Sequence, residues 1–174
     1  MLPKQLLLHL ILILSSTAVM GQRSNFPGSK FDSVLMYDFK GEKGNGLYIV
    51  NNGKLAGSIE KTAKLTASEA RTLTSKIALT QSYGGSTASC FDPHLGFVYL
   101  FKGKIVAHVT VCLDCNRLRS NPAISQQQQG KVGTGDNAYY ISDGMSKTFR
   151  RYLNQLLIKN NFSHQIPHGS SFDS

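Results

Sequence analysis

Apolar and polar residues alternate from Phe31 to Phe39, with Phe31, Leu35, Tyr37 and Phe39 on one side, which is the period of a strand. Gly41 to Gly46 is a turn-rich break. Two apolar runs follow, Leu47 to Val50 and Leu55 to Ile59, separated by Asn51-Asn52-Gly53-Lys54. Asn-Gly between such runs predicts a hairpin, because both central residues of a type I′ turn need positive φ, and it sets Val50 opposite Leu55. Thr66-Ala67-Ser68-Glu69 has the form of a capping box and predicts a helix start. Ala70, Leu73 and Ile77 form its apolar face as it runs toward Leu79, and Tyr83-Gly84-Gly85 stops it. Leu95 to Phe101 and Ile105 to Cys112 predict a second hairpin around Lys102-Gly103.

After Cys115 the pattern turns polar, and residues 121–137 are expected to be a mobile loop. Tyr139-Tyr140-Ile141 is a short strand. Ser142 or Asp143 is expected to cap a second helix. In it Met145, Phe149, Tyr152, Leu153, Leu156 and Leu157 recur at helical spacing, with Lys147, Arg150, Arg151 and Lys159 opposite. Asn160-Asn161 closes it, leaving residues 163–174 as a frayed tail. The predicted fold class is α+β. The expected architecture has two layers: an antiparallel sheet of about four to five strands built from two hairpins, with both helices packed on one face.

The first 21 residues read as a secretory signal: Lys4, an apolar run from Leu6 to Leu14 broken by His9, and small residues to Gly21. That run is too short for a span of ~20 apolar residues, and no later segment approaches it. The domain reading is a signal peptide over 1–21, a flexible arm over 22–30, one α+β domain over 31–162, and the tail. The implied location is exported, periplasmic or extracellular, without a lipid anchor, since no cysteine sits at the cleavage point. At 41% hydrophobic and 17% charged residues, the chain can form a packed core. Its net charge of +9 favours anionic partners such as an envelope or glycan surface. No nucleic-acid recognition motif is present, and the lysines are scattered rather than clustered.

All three cysteines lie between Tyr83 and Ile124. With Lys102-Gly103 as the turn, Ile105 faces Leu100, Ala107 faces Val98 and Val109 faces Gly96. Continued outward, the same register puts Cys90 opposite Cys115, at a separation that suits a disulfide, with Cys112 pointing away. Pro93 is the weak point, because a bulge there would shift the pairing. Three chemistries compete. One is a Cys90–Cys115 disulfide with Cys112 buried and free, as an oxidising compartment favours. Another is a redox-active Cys112–Cys115 pair, although no helix N-terminus supports it. The last is zinc held by Cys90, His94, Cys112 and Cys115, whose spacing permits tetrahedral binding. His108 reads as a half-buried sheet residue. Asp92 and Asp114 read as turn caps, and Gly84-Gly85-Ser86-Thr87 as a plain turn. Asn161-Phe162-Ser163 matches a glycosylation acceptor. No phosphate-binding loop, H-E-x-x-H or G-x-S-x-G is present.

Tyr83-Gly84-Gly85, Ala88, Cys90-Phe91, Pro93, Gly96-Phe97, Cys112-x-x-Cys115-Asn116 and Pro122 together resemble a family of small exported bacterial domains of Bacteroidetes type that has no assigned function. The resemblance runs from the first strand to the second helix. Its pattern implies a basic residue and then His between the Pro and the Gly, where this chain has His94-Leu95. It implies no reaction. The expected function is therefore a non-catalytic exported binding or envelope-associated domain, braced by a disulfide. The alternative is a thiol-redox or zinc protein.

Overall fold

The computed structural model describes residues 26–41, 47–166 and 169–172. The signal-peptide reading over 1–21, most of the arm before Phe26 and most of the glycine-rich break lie outside the described residues.

The first alternating stretch forms β1, Ser33–Phe39. The Asn-Gly hairpin follows as β2 (Val50–Asn51) and β3 (Lys54–Leu55). Val50 faces Leu55, and Asn52 and Gly53 take φ of 49° and 75°. Next come β4 (Ile59–Lys64) and helix α1 (Ala67–Ile77). Both halves of the capping box form: Glu69 N–H donates to Thr66 Oγ1, and Thr66 N–H to Glu69 Oε2. Ala70, Leu73 and Ile77 are its buried residues. A 3-10 turn, Thr80–Ser82, leads into β5 (Tyr83–Gly85). Then β6 (Leu95–Phe101) and β7 (Lys104–Cys112) form the second hairpin, with φ of 50° at Lys102 and 74° at Gly103. The rest is β8 (Arg117–Asn121), β9 (Gln129–Val132), β10 (Tyr139–Ser142), β11 (Gly144–Met145) and helix α2 (Lys147–Lys159).

The fold is α+β. Five strands pair in the order β4-β1-β6-β7-β8, antiparallel throughout. The sheet differs in membership from the sequence expectation. The β2–β3 hairpin stands outside it as a separate ribbon. Its place is taken by β4 and β8, edge strands whose residues are largely polar. An edge strand exposes much of both its sides, so its sequence lacks a clear apolar stripe.

The register of β6 and β7 also departs from expectation. Leu100 faces Ile105, but Tyr99 faces Ala107 and Val98 faces His108, so Val106 is an extra residue in a bulge. Phe97 and Tyr99 therefore share a face with Ala107 and Val109, and not with His108, while the bulged Val106 packs at the edge of the same cluster.

Two apolar clusters result. Val34, Met36, Phe97, Tyr99, Ala107, Val109, Val111 and Leu118 pack with the buried residues of both helices. The second cluster contains Tyr37, Phe39 and Val98, covered by Ile49 and Val50. Thr110 Oγ1 accepts the buried Ile49 N–H at 3.0 Å, which pins the ribbon to the sheet.

Other expectations change at the chain's later turns. The cap of α2 is Ser146, not Ser142 or Asp143, because β10 and β11 occupy those positions. Residues 121–137 contain β9, which pairs with β10, and bury Ile124 and Gln127. At the C-terminal end Phe162 and Ile166 are buried, and Asn154 Oδ1 accepts the Ile166 N–H at 2.9 Å. In the N-terminal arm Phe26 is buried edge-on to Tyr99. Among the described residues no helix is long and apolar enough to cross a membrane.

Candidate functional site

Strand β7 ends at Cys112, and Leu113 to Asn116 turn the chain into β8. Asn116 closes the turn at φ 51°, a conformation asparagine tolerates better than most residues. Its amide donates to the carbonyls of Ser86 at 2.8 Å and Met145 at 2.9 Å. Its side-chain oxygen accepts from Arg150 Nη1 at 3.2 Å, and the same nitrogen donates to the Leu113 carbonyl at 2.8 Å. Arg150 is 1% exposed, so its placement on the solvent side of α2 is corrected. Burial of a guanidinium requires such hydrogen bonds.

The glycines around Asn116 are there for space. A Cβ on Gly85 would lie 2.2 Å from the Met145 carbonyl, and one on Gly144 would lie 2.6 Å from Asn116 Nδ2. Tyr83-Gly84-Gly85 and Cys115-Asn116 are thus two sides of one packed joint between β5, β11 and the cysteine turn.

Cys90 and Cys115 form a disulfide, with Cα atoms 5.6 Å apart. The pairing agrees with the sequence reading, but the route differs. Neither cysteine is in the β6–β7 ladder, and the bulge has shifted the register that was extrapolated. What brings Cys90 in is the segment after β5, where Ala88 N–H donates to the Cys115 carbonyl at 3.1 Å.

Cys112 is free and buried. The expectation that it points away is corrected. All three sulfurs lie within 4.8 Å of one another. The Cys112 sulfur accepts the N–H groups of Asp92 and Cys115, each at 3.3 Å. Burial pushes this thiol's pKa up, and the two N–H donors act in the opposite direction.

His94 does not join the sulfurs in a common ligand group among the described residues. It stacks on His164, with ring centroids 4.1 Å apart. The acids beside the cysteines meet these rings rather than capping turns alone: Asp92 lies 3.8 Å from His94 and Asp114 3.2 Å from His164.

A second feature lies on the sheet face opposite the helices. The β2–β3 ribbon covers only part of that face. Beyond it is an open groove of about 900 Å³, bordered by Tyr48 and Asn51 on one side and by Lys104, His108, Arg119 and Asn121 of β7 and β8 on the other. A further depression of about 660 Å³ runs from Arg117 and Arg119 to Tyr140 and Ser142 of the β9–β10 ribbon. The two meet at Arg119. Among the described residues no Asp or Glu lines either.

Arg119 Nη1 donates to Gln129 Oε1, and Arg117 Nη1 to the Cys90 carbonyl at 3.3 Å. Arg117 Nε and His108 Nδ1 are buried without a hydrogen-bond partner. Burial pushes His108 below the usual histidine range. Tyr140 stands 79% exposed at the rim.

The sequence reading did not identify this groove. The available signal was the alternation Arg117-x-Arg119, which puts both guanidinium groups on one side of a strand. No family model, no curated protein and no solved structure matches the chain.

Proposed function

We propose that the protein is an exported, disulfide-braced, non-catalytic domain that binds an extended anionic ligand along the groove of β7 and β8. An acidic or sulfated glycan of an envelope or extracellular surface is the ligand class. One observation carries this: Lys104, Arg117 and Arg119 line continuous depressions to which no acid contributes among the described residues. Cationic side chains without neighbouring carboxylates leave an uncompensated positive potential, which draws anions. The groove is open and its lining mixed, which suits a polar chain better than a compact apolar molecule. Tyr48 borders one depression and the exposed Tyr140 borders the other.

The test is retention on a sulfated oligosaccharide across a salt series. Affinity should fall as salt rises, and Arg119→Ala should weaken it. Lys147 and Arg151, on the exposed side of α2, serve as the comparison. Loss of binding in Lys147→Ala with Arg151→Ala, and not in Arg119→Ala, would move the site to the helix.

The three-sulfur cluster supports a second reading, a thiol-dependent or zinc-binding protein. With Cys90 and Cys115 joined, Cys112 alone has a thiolate to give a metal, so zinc would require the bond to be open.

A further inference from the structure

We infer that the three cysteines form a thiol–disulfide relay, in which Cys112 exchanges into the Cys90–Cys115 bond and Cys90 becomes the thiol that meets external disulfides. Two of the three cysteines are out of reach of solvent: Cys112 and Cys115 are both 0% exposed, whereas Cys90 is exposed. The oxidised bond thus ties up the one exposed cysteine of the three. A free sulfur waits within 4.8 Å of both bonded ones.

The exchange is internal and needs no oxidant. The Cys112 proton passes to the departing sulfur, Cys90 Sγ, and from that exposed position to water, as the Cys112 thiolate attacks Cys115 Sγ. A Cys112–Cys115 bond forms, the Cys90–Cys115 bond breaks, and the electron pair leaves on Cys90 Sγ. The N–H groups of Asp92 and Cys115 already point at the Cys112 sulfur, where they favour the attacking thiolate. The Arg117 guanidinium, bonded to the Cys90 carbonyl, brings a positive charge to the residue that receives the leaving pair. Attack on Cys90 Sγ instead would free Cys115, which is buried and could meet nothing. Once released, the Cys90 thiolate attacks a disulfide R–S–S–R, forming Cys90–S–S–R and expelling RS⁻. The substrate class is therefore an accessible disulfide of a small thiol or a protein surface.

The experiment uses the full chain and 4,4′-dithiodipyridine as the disulfide. Native protein should release one equivalent of thiopyridone. Acid quenching and peptide mapping should then place the adduct on Cys90 and a disulfide between Cys112 and Cys115. Cys112→Ser, which leaves the original bond no internal partner, should lose the release. Release that persists in Cys112→Ser would overturn the relay. So would an adduct on Cys112 with Cys90–Cys115 intact, the absence of any native adduct, or purified protein carrying zinc on three thiols. Far-ultraviolet circular dichroism and the thermal midpoint of Cys112→Ser report its folding, and oligosaccharide binding is read separately, so the two proposals fail separately.

Discussion

Arg150 on α2 and Asn116 in the cysteine turn are joined through a hydrogen bond of 3.2 Å, although 34 residues separate them. The same guanidinium also holds the Leu113 carbonyl and Ser170 Oγ. One buried side chain therefore fastens the helix to the turn that carries Cys112 and Cys115. Replacing it by Leu leaves the Leu113 carbonyl and Asn116 Oδ1 buried without this donor, at a cost of about 3 kcal/mol. Urea denaturation measures this. Arg150→Leu and Asn116→Ala should be non-additive when combined, by more than about 0.5 kcal/mol, because they remove one shared bond.

Gly144→Ala should be among the most damaging substitutions of small size. Its new methyl would fall 2.6 Å from both Asn116 Nδ2 and the Ser86 carbonyl. Overpacking of this kind costs about 1–3 kcal/mol. Gly57→Ala is the control, since a Cβ there meets nothing within 4 Å and should leave the unfolding midpoint close to that of the parent.

Thr110→Val should loosen the β2–β3 ribbon while the five-stranded sheet persists. The substitution keeps the shape but leaves the Ile49 N–H without its acceptor, which costs about 1–3 kcal/mol for a buried donor. Amide exchange would show faster exchange at Ile49, with protection in β6 and β7 largely kept. The groove has this ribbon as one wall, so retention on the sulfated oligosaccharide should fall in parallel.

Acid should weaken the contact between the helices. The Lys159 ammonium, 2.8 Å away, holds the Glu69 carboxyl down at about 2, with the Thr66 backbone N–H and hydroxyl as further donors. A carboxyl depressed in the folded state stabilises fully above its unfolded value, near 4.5, and that contribution is lost as pH falls toward 2. Glu69→Gln should keep the capping geometry while flattening stability against pH over this window, as followed by thermal melts.

The sequence made the turns and helix faces legible, because their chemistry is local. Asn52-Gly53 and Lys102-Gly103 need only their own φ values, and Thr66 with Glu69 needs only one helical turn. The bulge at Val106 was not legible, since it answers to what packs on each side of β7 and not to β7 itself. The disulfide was anticipated through a ladder that ends before reaching it. Arg150 was misplaced because charge outweighed position. It lies three residues before Leu153 and seven before Leu157, on the very stripe that α2 buries. The groove went unseen because its walls come from five strands, β2, β7, β8, β9 and β10, that no local pattern links.

The distance in chain order between Arg150 and the turn it seats has a kinetic meaning. A chain that emerges from its N-terminus presents every sulfur before the anchor for their turn has been synthesised. Over that interval the shortest loop, Cys112 to Cys115, is the easiest to close, and the longer native link competes at a disadvantage. Docking of the last helix is therefore the step expected to favour the Cys90–Cys115 link over the shorter one.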